Sequence, residues 1–243
     1  MKFADEKITK RELKDVFGSY MLKDAECDFD NYDIPFMDVP EDIKLPERLV
    51  SYSKIGTSNL DENAFIHFYQ DDYTFDGMYG VWNSLLYDHQ TNKGFSLDKF
   101  AGSGGIICPD YSLYGDFPEA QKIWNTYRSR AIGCYINSIG GTAIPNFHAN
   151  GPDSYHYCFG GLRKHTIVAV STVGCLRSSA DKFLFLHDLE ELIKRIEPRL
   201  IILYGNKNKE VLELFKKYNQ NYLFFPSDIS EAHGGANHGN ESK

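Results

Sequence analysis

Four short apolar runs limit what this chain can fold into. They are Gly-Gly-Ile-Ile-Cys-Pro at 104–109, Thr-Ala-Ile-Pro-Asn-Phe at 142–147, Thr-Ile-Val-Ala-Val-Ser-Thr at 166–172 and Leu-Ile-Ile-Leu-Tyr-Gly at 200–205. Apolar residues follow one another in them without alternating, so each reads as a strand covered on both faces. Such strands pair in parallel, and parallel pairs need long crossovers, usually helices. The intervening stretches supply them. Pro118 opens a helix that runs to about Ile139, where Gly140 and Gly141 stop it. Leu186, Leu189, Ile193 and Ile196 stripe a helix near 180–197, ended by Pro198, and a third covers 208–218. Ala64–Tyr69 reads as the first strand and Tyr222–Phe225 as the last. The expected fold class is α/β: a mainly parallel sheet of about six strands with crossover helices, as an open sheet or an incomplete β/α barrel.

Outside this alternation, residues 8–23 are predicted to form an amphipathic helix. Thr9 and Glu12 have capping-box spacing, and Leu13, Val16, Phe17 and Tyr20 share a face. An extended wrapping segment rich in Asp and Pro follows, from Cys27 to Pro46, with Ile34, Phe36, Met37 and Val39 to bury. The organisation expected is an N-terminal helical extension (1–32), a single α/β domain (33–228) and a disordered tail (229–243). The five cysteines are odd in number and no pair lies two residues apart, which argues against a disulfide framework and a Cys-based zinc site. Cys108, Cys134 and Cys175 are expected to be reduced and mostly buried. No apolar run approaches the roughly 18 residues of a membrane span, and no signal peptide is recognised, so the expectation is a cytoplasmic protein without a membrane partner. Net charge is −8, from 34 acidic and 26 basic side chains, and no basic run offers a general nucleic-acid surface.

Parallel sheets place ligands at the carboxyl ends of their strands. Asp110 and Ser112 follow the 104–109 run directly, where a carboxylate and a hydroxyl can face a ligand or serve a turn. Asp71 and Asp72 close the Ala64–Tyr69 strand. Adjacent side chains point to opposite faces, and Asp72 is taken as the acid, base or ion ligand. His148, after the 142–147 run, is the candidate base. Asp110, His148 and Asp72 are thus the catalytic candidates. Ser112, Asn146, Ser171, Thr172 and Asn206 are the candidate ligand contacts at strand ends, with Arg128 or Arg130 for a phosphate. The two arginines stand two apart on a helix and do not share a face, so a structural ion pair is the plain alternative.

Other chemistries lack their signatures. His148, His156 and Cys158 share one long loop without a third or fourth ligand at metal spacing. Gly102-Ser-Gly-Gly lacks the lysine of a P-loop, there is no Gly-x-Ser-x-Gly, and no motif identifies a cofactor. His67 reads as a packed strand residue. The aromatic series from Tyr111 to Phe159 suits core packing or base stacking.

Six pieces, in order, carry a resemblance: Pro-Asp-Tyr-Ser (109–112), Arg-Ser-Arg-Ala-Ile-Gly (128–133), Gly-Gly-Thr-Ala-Ile-Pro (140–145), Cys-Phe-Gly-Gly-Leu (158–162), Val-Ala-Val-Ser-Thr-Val-Gly (168–174) and Leu-Ile-Ile-Leu-Tyr-Gly (200–205). Over roughly residues 33–206 the chain resembles the bacterial, phage and plasmid family catalogued as domain of unknown function 4417. The resemblance implies a mobile-element setting and an α/β fold, and no activity. It also implies a tryptophan soon after the Ile-Pro strand, where this chain has His148. The leading expectation is a polar strand-end pocket that binds or processes a nucleotide or nucleic-acid ligand. The alternatives are a non-enzymatic protein that inhibits or recruits a host protein, through segment 24–47 and the aromatic surface, or a small-ligand sponge.

Overall fold

The computed structural model describes residues 9–91 and 97–228. Seven strands run through them: β1 (Arg48–Ser51), β2 (Ala64–His67), β3 (Gly105–Ile107), β4 (Ala143–Ile144), β5 (Ile167–Ser171), β6 (Leu200–Gly205) and β7 (Tyr222–Pro226). The helices are α1 (Val81–Thr91), α2 (Leu97–Phe100), α3 (Glu119–Ser138), α4 (Tyr155–Cys158), α5 (Ser179–Ile196) and α6 (Lys209–Tyr218). Within β1–β4 and within β5–β7 each strand pairs in parallel with its sequence neighbour. Between β4 and β5 the ladder thins to one parallel bridge, Asn146 to Ala169. There the Phe147 amide donates to the Ala169 carbonyl at 2.8 Å and the Ala169 amide to the Pro145 carbonyl at 2.9 Å. The four apolar runs are therefore parallel neighbours, and the spatial order of strands repeats the chain order.

The sheet curls. The rings of His67, at the end of β2, and Tyr204, in β6, have centroids 4.4 Å apart. Four strand spacings in a flat sheet would hold them roughly 19 Å apart. One apolar cluster accordingly takes residues from six strands: Phe65, Ile107, Ile144, Ile167, Ala169, Ile202, Tyr204 and Phe225. These are the inward positions. The residues beside them point outward: Ile66, Ile106 and Ala143 pack with Trp82, Leu85, Ile132 and Tyr135 of α1 and α3. Val168, Val170, Ile201 and Leu203 pack with Leu189, Leu192, Val211 and Phe215 of α5 and α6. Continuous apolar runs are what a sheet filled within and roofed without requires. This is an incomplete β/α barrel. Among the described residues β1 and β7 form no ladder, and a Lys54–Asp228 ion pair of 2.5 Å bridges that edge.

The wrapping segment meets its expectation. Ile34 and Met37 are fully buried, and the Met37 amide donates to the Gly161 carbonyl at 2.9 Å. Arg199, just before β6, donates to the carbonyls of Pro40 and Glu41, while Val39 and Ile43 pack against the inner cluster. The segment thus closes the amino ends of the strands.

Two expectations are corrected. The helix predicted over 8–23 is, in its described part, a single 3-10 turn at Glu12–Lys14 followed by further turns. The Asp15 carboxylate takes the amides of Phe17 and Tyr20 for itself, and Gly18 adopts φ +74°. Both compete with helix continuation. Leu13, Val16 and Phe17 stay exposed as a result. The described residues hold seven strands, in keeping with the six or so expected; the additional one is β1 (Arg-Leu-Val-Ser), which is short and polar at both ends. Cys108 and Cys134 are buried as expected and all five cysteines are free, but Cys175 is half-buried in the loop after β5. The tail expected at 229–243 lies outside the described residues.

Candidate active site at the strand ends

A cavity of about 1080 Å³ opens at the carboxyl ends of the strands. The residues that leave β2, β3, β4, β5, β6 and β7 line it, among them Asp71, Asp110, His148, Thr172, Asn206 and Asp228. Its centre is a chain of hydrogen bonds. The Tyr69 hydroxyl donates to Oδ1 of Asn146 at 2.8 Å, and Nδ2 of Asn146 donates to Oδ1 of Asp110 at 2.8 Å. The same Asp110 oxygen lies 2.9 Å from Nδ1 of His148. β2 and β3 each contribute one residue just past their ends and β4 contributes two, so the sheet's spacing brings the four together.

This arrangement fixes the imidazole. With Nδ1 directed at a carboxylate, Nε2 is the ring nitrogen left for the cavity. Burial is the largest single influence and disfavours the charged ring, but the Asp110 carboxylate and its hydrogen bond, with Asp188 and Asp72, together outweigh it, and the pKa of His148 is raised. Asp188, on α5, also lines the cavity and is almost fully buried. Burial raises its pKa, while the Tyr155 hydroxyl at 2.7 Å and the Gly151 amide at 3.1 Å act against the rise. A carboxylate–imidazole pair that shares a cavity with a second carboxylate can accept and return a proton.

Of the residues singled out from the sequence, Asp110, Ser112, His148, Ser171, Thr172 and Asn206 line the cavity. Thr172 and Asn206 also hold each other: Oγ1 of Thr172 accepts the Asn206 amide at 2.7 Å. Ser171 turns its Oγ to the Val173 amide at 3.0 Å. Asn146 is buried behind the floor, where it orients Asp110. Asp72 is not a lining residue, whereas Asp71 is. Both Asp72 carboxylate oxygens accept the Ser112 amide at 3.2 Å, and burial raises its pKa, so it braces the loop that carries Ser112.

Neither arginine reaches the cavity. Arg128 makes a two-bonded contact with Asp76 at 2.9 Å, donates to Asn125 and stacks on Tyr111 with its guanidinium 3.9 Å from the ring centroid. Arg130 is 2% exposed and donates to the carbonyls of Asn146, Gly160 and Cys158. Arg128 makes the kind of structural ion pair that the plain alternative named, whereas Arg130 is held by backbone carbonyls. Sequence reasoning missed His67, Arg177, Asp188, Tyr204 and Asp228 as cavity residues. For Asp188 a signal existed: it lies four positions before Leu192 and one before Leu189, on the buried face of α5.

The lining carries five aspartates against a single guanidinium, Arg177, among the described residues. Among them, no group of three or more His, Cys, Asp or Glu side chains is arranged to hold a metal ion, and no helix is long and apolar enough to cross a membrane.

Comparison with known proteins gives the chain relatives in two viruses of mycobacteria. It is similar to the Gene 1 protein of Mycobacterium phage L5, with 36% identity over 140 residues that make up 58% of this chain and 56% of the relative. The same identity over 140 residues links it to the Gene 1 protein of Mycobacterium phage D29, covering 58% of this chain and 48% of the relative. The chain thus spans about half the length of the curated relatives it matches. No solved structure matches it. The family model described as Domain of unknown function (DUF4417) matches residues 27–222, which takes in every strand up to the start of β7, and the chain belongs to that family.

Proposed function

We propose that the strand-end cavity binds a small polar molecule of nucleoside type and that the Asp110–His148 pair moves a proton on it. The observation that carries this reading is the 2.9 Å contact between Asp110 and Nδ1 of His148 at the cavity wall, with Asp110 steadied from behind by Asn146. His148 then acts as base through Nε2, and Asp188, held by Tyr155, is the acid across from it. The volume suits a ligand of that size. The excess of carboxylates argues against a strand of nucleic acid or a polyphosphate, whose charge the single Arg177 does not balance. Sugar hydroxyls, in contrast, are good donors to carboxylates. The phage relatives support a mobile-element setting, and the host cytoplasm is where such metabolites are met.

Native mass spectrometry of the protein purified from cells tests this directly. A retained molecule of nucleoside mass, absent from Asp110→Ala, is the expected result. Absence of any retained molecule, together with no binding of added nucleosides, sinks the reading. A host-protein contact is the second reading, and it rests on Tyr73, Met78 and Tyr79, which stand at least 78% exposed on one loop after β2. Loss of a captured partner on replacing Met78 and Tyr79 by Ser, with the cavity's ligand binding intact, would favour it.

A further inference from the structure

His67 ends β2 and lines the cavity, yet exposes only 1% of its surface. Its ring lies against Tyr204 at 4.4 Å and Tyr69 at 5.5 Å. The Tyr69 backbone amide donates to its Nδ1 at 3.2 Å, so Nδ1 is an acceptor and carries no proton. A neutral imidazole of that tautomer has its N–H at Nε2. That atom is buried and has no hydrogen-bond partner among the described residues. Burial also holds the pKa of His67 down to about 4, with Asp228 raising and Lys54 lowering it, so the ring is neutral at physiological pH.

A buried donor without an acceptor is rare, and its desolvation is recovered only when an acceptor arrives. The neighbours on hand do not supply one. The Tyr69 hydroxyl is committed to Asn146, and Tyr69 and Tyr204 stack on each other at 5.0 Å, which fills the aromatic slot beside the ring. We propose that His67 is a ligand-recognition residue, whose Nε2–H donates to a neutral acceptor, the ring carbonyl of a nucleobase, while the sugar side of the same ligand faces Asp110 and His148. This rests on the nucleoside reading of the cavity and adds what selects the ligand: an uncharged acceptor at the barrel axis. Neutrality of the acceptor follows from the surroundings, since the cavity already carries five aspartates and His67 brings no positive charge to match an anion.

Two substitutions separate recognition from architecture. His67→Asn keeps an oxygen where Nδ1 accepts the Tyr69 amide and loses the Nε2 donor. His67→Gln keeps a donor near Nε2 and loses the Nδ1 acceptor. The full chain, labelled with ¹⁵N-histidine, is titrated with uridine and with inosine, both of which carry a ring carbonyl. The expected result is that at least one nucleoside moves the resonances of both His67 and His148. That nucleoside binds His67→Asn at least about tenfold more weakly, the loss of one good hydrogen bond, and His67→Gln within about threefold of the parent, although His67→Gln melts at a lower temperature than His67→Asn. If His148 responds while His67 does not, or if His67→Asn binds as the parent does, the recognition role is overturned and the cavity's function stands. If neither histidine responds to either nucleoside, both readings fall together.

Discussion

Arg130 and His67 are both nearly sealed from solvent, and they use hydrogen bonding in opposite ways. Arg130 sits in the wall behind β4, where three backbone carbonyls receive its guanidinium. His67 sits at the cavity, where one ring nitrogen is satisfied and the other has no partner among the described residues. Asn146 belongs to both regions: its carbonyl accepts Arg130 at 2.7 Å, and its side chain links Tyr69 to Asp110. A polar side chain whose donors are all spent on its own fold is architecture, whatever its charge. One with capacity left over, next to a void, has a use outside the fold.

The sharpest way to break this contrast is to truncate the wall. Arg130→Met strands three buried carbonyls and is expected to cost about 3–5 kcal/mol, read as a lowered urea midpoint at unchanged slope. A loss below about 1 kcal/mol would show that the wall relaxes around the gap. Gly161→Ala attacks the same wall from its backbone. Gly161 has φ +72°, and a Cβ there would lie 2.3 Å from the Pro35 carbonyl oxygen and 2.9 Å from Cγ of Arg130. The expected cost is about 2 kcal/mol by the same measurement.

The cavity side should respond with function and little stability. Asp110→Asn is expected to lower stability by only about 1 kcal/mol while the pKa of His148 falls and ligand binding is lost. Histidine titration by NMR and a parallel melt check it. A large stability loss with His148 unmoved would turn Asp110 into a turn residue. The smallest effect is on pH dependence. His148 holds its proton more tightly folded than unfolded, because Asp110, Asp188 and Asp72 together outweigh the opposing burial. The resulting stabilisation is fully present below the ordinary value of 6.5 and disappears as pH rises through the folded value. The stability difference between the parent and His148→Gln should therefore shrink from about pH 6.5 upward. A difference that grows instead would reverse the assigned sign.

Much of the barrel was legible because burial on both faces leaves a mark in composition. Runs such as Ile167–Ser171 and Leu200–Gly205 have no polar face to offer water, and their helices carry stripes and stops. The sequence does not tell an open sheet from a barrel, since the same apolar residue serves beneath a helix or inside a curl. The contact of His67 with Tyr204 decides that, and it links residues that no local pattern relates. The N-terminal turns were misread for a different reason. Leu13, Val16 and Phe17 repeat at helical spacing, but Asp15 and Gly18 between them satisfy the backbone in another way. At the site, Asp110 and His148 were accessible from their position just past strands. Arg128 and Arg130 were not separable from phosphate ligands, because a guanidinium spent on Asp76 or on carbonyls looks the same in sequence as a free one.

Strand order has a consequence for how the molecule is made. Because β1 to β7 lie in space as they lie in the chain, each strand finds its partner across one crossover, and most loops closed during folding are short. The hydrogen bonds that span the greatest separations among the described residues join the two extremes: Lys54 to Asp228, 174 positions apart, and Arg199 to Pro40 and Glu41, 159 and 158 apart. Assembly can thus advance along the polypeptide from either end, with entropy lost in small steps. The edge between the first and last strands is then the latest to join and the earliest to part. Amide exchange of β1 and β7 ahead of β3 and β6 is the kinetic signature of a ring that is fastened, not woven, at its seam.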